Sequence, residues 1–150
     1  MRIRPLAATA TAALALVSTL AVATPAEAAS TVQLTRIQYD SPGTDDRSAG
    51  SLNAEYVTIR NSGSRAVSLR GYTLRDAQRH VYTFGGYTLA AGASVRIHTG
   101  RGTNGSAHRY WGSGAYIWNN TGDTATLRNA AGASVDSCTW RSAGRGYLNC

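Results

Sequence analysis

Residues 32–140 read as a succession of short segments whose apolar side chains fall at every second position, and no stretch sustains the 3.6-residue period of a helix. Val57 and Ile59 take one face of their segment while Thr58 and Arg60 take the other. Gly, Thr, Ser, Asn and Asp punctuate the intervals. The pattern amounts to about eight or nine short strands at roughly ten-residue spacing, which predicts an all-β sandwich. In the first segment the parity breaks: Val32 and Leu34 share a face, and Ile37 and Tyr39 fall on the other. That break predicts a bulge or an edge strand.

Two polar stretches predict long loops. Asp40 to Asn53 contains Pro42, Gly43 and Gly50. Thr99 to Gly114 contains Gly100, Gly102, Gly105, Gly112 and Gly114, and Tyr116-Ile117-Trp118 is expected to follow it as a short strand. Two predicted hairpins echo each other, one running from Thr73-Leu74-Arg75-Asp76 to Tyr82-Thr83-Phe84 and one from Thr126-Leu127-Arg128-Asn129 to Cys138-Thr139-Trp140. Asp76 and Asp123 are expected to accept hydrogen bonds in turns. The hexapeptide Ala-Ala-Gly-Ala-Ser-Val occurs at 90–95 and again at 130–135, both times as a turn feeding a strand. The spacing is not maintained elsewhere, so this is one hairpin solution used twice and no solenoid.

The order Glu55-Tyr56-Val57-Thr58-Ile59-Arg60-Asn61, Leu69-Arg70-Gly71-Tyr72-Thr73-Leu74-Arg75-Asp76, Tyr82-Thr83-Phe84, Leu89 to Ile97, Trp118 to Asp123 and Ala125-Thr126-Leu127 resembles a lamin-tail domain. This is the immunoglobulin-like module of nuclear lamins and, separately, of many secreted bacterial proteins. The resemblance covers residues 55–127 and extends more weakly to 32 and 140. It implies an immunoglobulin-like β-sandwich used for binding, with no catalytic residues to inherit. For the bacterial type it further implies attachment to envelope or polymer beside secreted hydrolases and nucleases. Gly85 departs from the Pro that the family often carries after the Phe. No coiled-coil rod precedes the domain, so the filament role of lamins does not transfer.

Residues 1–28 have the form of a secretory signal peptide. Arg2 and Arg4 precede an uncharged apolar stretch from Leu6 to Val22, and Ala26-Glu27-Ala28 supplies a small-x-small cleavage signature. The alternative, a retained membrane anchor, fits poorly with Ala and Thr diluting the stretch and a processing site after it. Cleavage after Ala28 would leave residues 29–150 as one exported domain without a further membrane span. Cys138 and Cys150 would then meet oxidising conditions and pair, clipping the C-terminus onto the last strand.

The whole chain has 15 basic and 8 acidic residues; without Arg2, Arg4 and Glu27 the counts are 13 and 7, a net +6. Every basic residue is Arg. The excess has two readings, GC-rich coding bias or attraction to anionic polymers such as nucleic acid or wall polymers.

Catalytic and metal patterns are missing from the sequence. His80, His98 and His108 lack metal-ligand spacing, no Cys-x-x-Cys occurs, and no Gly-x-Ser-x-Gly elbow holds a serine. His80 is expected to pack half-buried beside Tyr82 and Phe84, and His98 to sit on a solvated face with Arg96. Asp40, Asp45, Asp46 and Glu55 form the one acidic cluster; it could bind calcium, but its spacing is not that of an EF-hand, and an Asx-rich loop bonding its own backbone is the other reading. Arg96, His98, Arg101, His108, Arg109, Tyr110 and Trp111 bracket the glycine-rich loop and form the candidate binding residues. Their guanidinium groups suit phosphate and their aromatics can stack, although Trp118 and Trp111 also read as core.

The expectation is an exported, disulfide-stapled, non-catalytic binding or tethering module with no cofactor and no metal. Its partner would be an anionic polymer or cell-envelope component, or a secreted protein, with nucleic acid bound only non-specifically. The competing expectation is a carbohydrate-binding module that stacks sugars on Tyr110 and Trp111.

Overall fold

The computed structural model describes residues 30–150, so the expected signal peptide at 1–28 lies outside the described residues. Eleven strands and one short helix follow in order: β1 Val32–Gln38, α1 Ala49–Ala54, β2 Tyr56–Asn61, β3 Val67–Ser68, β4 Thr73–Arg75, β5 Val81–Thr83, β6 Thr88–Leu89, β7 Ser94–His98, β8 His108–Tyr110, β9 Asp123–Arg128, β10 Ser134–Trp140 and β11 Tyr147–Asn149. One sheet has the order β11-β1-β2-β7-β8, a second β10-β9-β4-β5, and a small third pairs β3 with β6. No helix among the described residues is long and apolar enough to cross a membrane.

The alternating residues meet between the sheets, as an immunoglobulin-like sandwich requires. Val32, Leu34, Ile37, Val57, Ile59, Val95 and Ile97 face inward from the larger sheet, and Leu74, Tyr82, Ala125, Leu127 and Trp140 from the smaller. Each such burial of a branched or aromatic side chain contributes about 1.5–3 kcal/mol. The parity break in β1 is a bulge, with the register against β2 shifting between Leu34 and Arg36. The extra residue returns Ile37 to the core face and lets Tyr39 stack on Trp140, ring centroids 4.9 Å apart.

Cys138 and Cys150 are bonded, with Cα atoms 5.9 Å apart. The bridge does more than clip a tail. Cys138 belongs to β10 of the smaller sheet, while Cys150 follows β11, which pairs with β1 of the larger. The staple therefore joins the two layers, and its stabilisation is about 3 kcal/mol.

Three local expectations are corrected. The stretch from Asp40 to Asn53 is not all loop: Ser48 caps α1, its hydroxyl accepting from the Ser51 N–H. Tyr116 to Trp118 is not a strand, because its backbone turns to a buried carboxylate described below. Residues 108–110, expected within a loop, form β8, which pairs in parallel with β7.

Candidate functional site

The alternation of β7 and β8 divides the candidate residues between two sides. Arg96 lies opposite His108, Ile97 opposite Arg109, and His98 opposite Tyr110. Residues in register project to one face. Arg96, His98, His108 and Tyr110 thus share the outer face of the larger sheet, and Arg109 falls on the side of buried Ile97. There its guanidinium lies over the Tyr87 ring, 4.8 Å from the centroid.

Trp111 is half-buried on that same side, its ring 5.8 Å from both Tyr82 and Trp118. Tyr110 stacks on His98 at 5.1 Å. A Cβ at Gly102 would lie 2.4 Å from the Tyr110 ring, so the loop backbone rests against the tyrosine. Tyr110 and Trp111 consequently form no common stacking platform. Arg101 is set apart as well, exposed on a shallow recess shared with Arg47, Ala49, Leu52, Ser113 and Gly114.

The outer face carries a chain of hydrogen bonds. His98 Nδ1 lies 2.7 Å from the Asn53 carbonyl oxygen. A carbonyl only accepts, so Nδ1 holds the proton and neutral His98 is left with Nε2 as an acceptor. His108 Nδ1 lies 2.9 Å from that Nε2 and donates to it. Burial pushes the His98 pKa down; the bond to Asn53 opposes this, and the nearby His108 and Arg96 add to the downward push. His98 is accordingly half-buried and neutral, not the solvated residue expected. Beside it Arg96 lies over Tyr56 at 4.6 Å, and farther across the sheet Arg36 lies over Tyr147 at 3.9 Å.

Glu55 is the group whose role the residue pattern failed to reveal. It is 1 % exposed. Its Oε1 accepts from the Thr99 hydroxyl at 2.6 Å and from the backbone N–H groups of Ile117 and Trp118 at 2.8 and 3.3 Å. Desolvation raises its pKa to about 7, against the lowering effect of those three donors. The signal was present in the parity, because Glu55 falls on the same face as Val57 and Ile59.

Five of the other acidic residues accept hydrogen bonds, some within turns and some across the fold, and Asp45 stands exposed in its loop. Asp40 accepts from the Asn120 side chain, Asp46 from the Ser48 N–H and Asp136 from the Leu34 N–H. Asp123 accepts from the N–H groups of Ala77, Asn119 and Thr124, and Asp76 from that of His80, as turn acceptors should. His80 is not half-buried: its side chain is 52 % exposed and held by the Asp76 carboxylate. That is the one contact between a basic side chain and a carboxylate at ion-pair distance among the described residues, so none of the arginines there pairs with a carboxylate. Within the same residues no group of three or more His, Cys, Asp and Glu side chains is placed to hold a metal.

Comparison with curated proteins found no match. The model of the Lamin Tail Domain family matches residues 25–142. With that match spanning β1 to β10 and the β7–β8 edge described above, the chain belongs to the Lamin Tail Domain family.

Proposed function

We propose that this protein is a non-catalytic module, working outside the cell, that tethers itself or a partner to anionic polymers of the cell envelope. The observation that carries the reading is the segregation of charge. Among the described residues every side-chain carboxylate except exposed Asp45 accepts hydrogen bonds, mostly from backbone and neutral side chains, and no arginine has an acidic partner. A surface of that kind attracts any polyanion within the screening length and reads no sequence. The immunoglobulin-like family supports binding over catalysis. The inter-layer disulfide supports a working place where thiols oxidise.

The test is retention on phosphate-rich wall polymer and on single-stranded DNA at about 50 and about 200 mM salt. Binding at low salt should weaken by at least about tenfold at the higher concentration, as counterion release requires. No retention at low salt, or salt-insensitive binding to neutral glycans, overturns the reading.

A further inference from the structure

Thr58, Ser94, Arg96, Ala107 and His108 line a shallow recess on the outer face of the larger sheet, at the β7–β8 edge. Each of its polar side chains can donate a hydrogen bond, and no carboxylate lines it. Resting on the polyanion reading above, we infer that this recess is a subsite for one phosphodiester oxyanion, and that the anion is held by Arg96 together with a protonated His108.

The inference follows from the direction of the hydrogen-bond chain. His98 Nδ1–H donates to Asn53, and His108 Nδ1–H donates to His98 Nε2. In neutral His108 this leaves Nε2 with a lone pair, which repels an oxyanion. In the protonated form Nδ1–H keeps its bond to His98 while Nε2–H becomes available to the anion. Protonation of His108 therefore breaks nothing in the existing chain and adds a charge-assisted donor.

The ionisable groups facing His108 are Arg96 and His98 from β7 and Tyr110 from its own strand, with Tyr56 of β2 behind His98. The Asn53 carbonyl and the His108 donor hold His98 in the acceptor role, and burial reduces its proton affinity. Arg96 disfavours a second cation in the empty recess, and an anion placed between the two relieves that repulsion. Anion binding and proton binding at His108 consequently reinforce each other, by the same factor in each direction. The linkage sign follows. Affinity gains as pH falls, and binding takes up as much as one proton per subsite.

The experiment is calorimetric titration with dodecathymidylate, whose phosphodiesters do not titrate between pH 5.5 and 8, in buffers of different ionisation enthalpy. The parent should bind about 5- to 10-fold more tightly at pH 5.5 than at pH 8 with net proton uptake, the size of effect that one additional charge-assisted hydrogen bond produces. His108→Gln should flatten that dependence and abolish the proton uptake. Arg96→Gln should weaken binding by about fivefold, against twofold or less for Arg70→Gln, which removes the same charge from an exposed turn. A glycerol-phosphate oligomer of equal charge should bind as dodecathymidylate does, and a difference beyond tenfold would show that bases are read and overturn the subsite. The proton uptake of the parent is independent of whether any variant folds.

The two levels of failure are distinct. If no anionic polymer binds at all, the tethering reading falls. If polymers bind but Arg96→Gln matches Arg70→Gln and the parent takes up no proton, only the subsite falls.

Discussion

The hexapeptide Ala-Ala-Gly-Ala-Ser-Val appears twice, and the fold uses the two copies differently. At 90–95 the turn closes through the Ala93 N–H donating to the Ala90 carbonyl. At 130–135 the turn begins one residue earlier, with the Gly132 N–H donating to the Asn129 carbonyl. Both glycines have positive φ, 69° at Gly92 and 85° at Gly132, so both copies make a tight turn of the kind glycine permits. What holds each turn is not the same. The first is received by a distant residue: the Asn61 side chain donates to the Ala90 carbonyl and the Asn61 N–H to that of Ala93. The second is held by its own neighbour, Asn129, whose side chain accepts from the Ala133 N–H.

The strands that follow diverge accordingly. Val95 is fully buried in β7, a central strand paired with β2 on one side and β8 on the other. Val135 is only half-buried, at a register shift between β10 and β9. Identical local sequence therefore specifies a turn and a strand but not the depth at which the strand lies.

Each device that anchors these strands can be removed in turn. On the β10 side, Cys138→Ser opens the bridge between layers and should cost about 3 kcal/mol, read as a lowered denaturant midpoint without reductant, while the sandwich still folds. An undiminished midpoint would mean that Asp136, which accepts from the Leu34 N–H, already ties β10 to β1. On the β7 side, Val95→Ala should cost about 2–3 kcal/mol by lost transfer energy and a residual cavity. Val135→Ala, the same change at the same place in the hexapeptide, should cost less than about 1 kcal/mol. Equal costs would abolish the distinction between the copies.

The pH-dependent device lies at the far end of β7, where Thr99 meets Glu55. The folded pKa of Glu55, about 7, stands above its ordinary value of 4.5. The folded state therefore binds the proton more tightly than the unfolded chain. The stability this confers is complete below about pH 4.5 and is lost as pH rises through about 7. Between pH 5 and 8 the loss should be about 2 kcal/mol, and Glu55→Gln, which keeps an acceptor oxygen for the same donors, should remove the drift. A parent protein equally stable at both pH values would place the Glu55 pKa near that of a free carboxyl.

Glu55 also marks how far the residue pattern carries. The bulge in β1 was legible because an odd residue between two apolar pairs can be accommodated only by a local irregularity in the pairing. The turn roles of Asp76 and Asp123 were legible for a similar reason, since they sit at strand ends beside polar residues. Glu55 was hidden by its charge: it precedes β2 in parity with that strand's core face but was grouped with Asp40, Asp45 and Asp46 as an acidic cluster of the loop. The candidate site was legible in part. The parity of β7 placed Arg96 and His98 on one face, but Arg109 and Trp111 turned out to lie on the other side of the edge. Glycine content had made residues 99–114 read as one long loop. Gly100 and Gly102 instead allow close approach to Asn53 and to Tyr110, which lets the segment lie flat and β8 form.

The sequence by itself determined the period, the turns, the pairing of the only two cysteines and the family resemblance, because these depend on residues near one another or on composition. Tertiary structure alone decided which arginines share a face, which histidine is the acceptor, which valine of two identical hexapeptides is buried and where one carboxylate finds its three donors. Those outcomes depend on contacts between strands far apart in the chain, and a strand's own alternation says which residues are on opposite sides of it but not what lies across from either side.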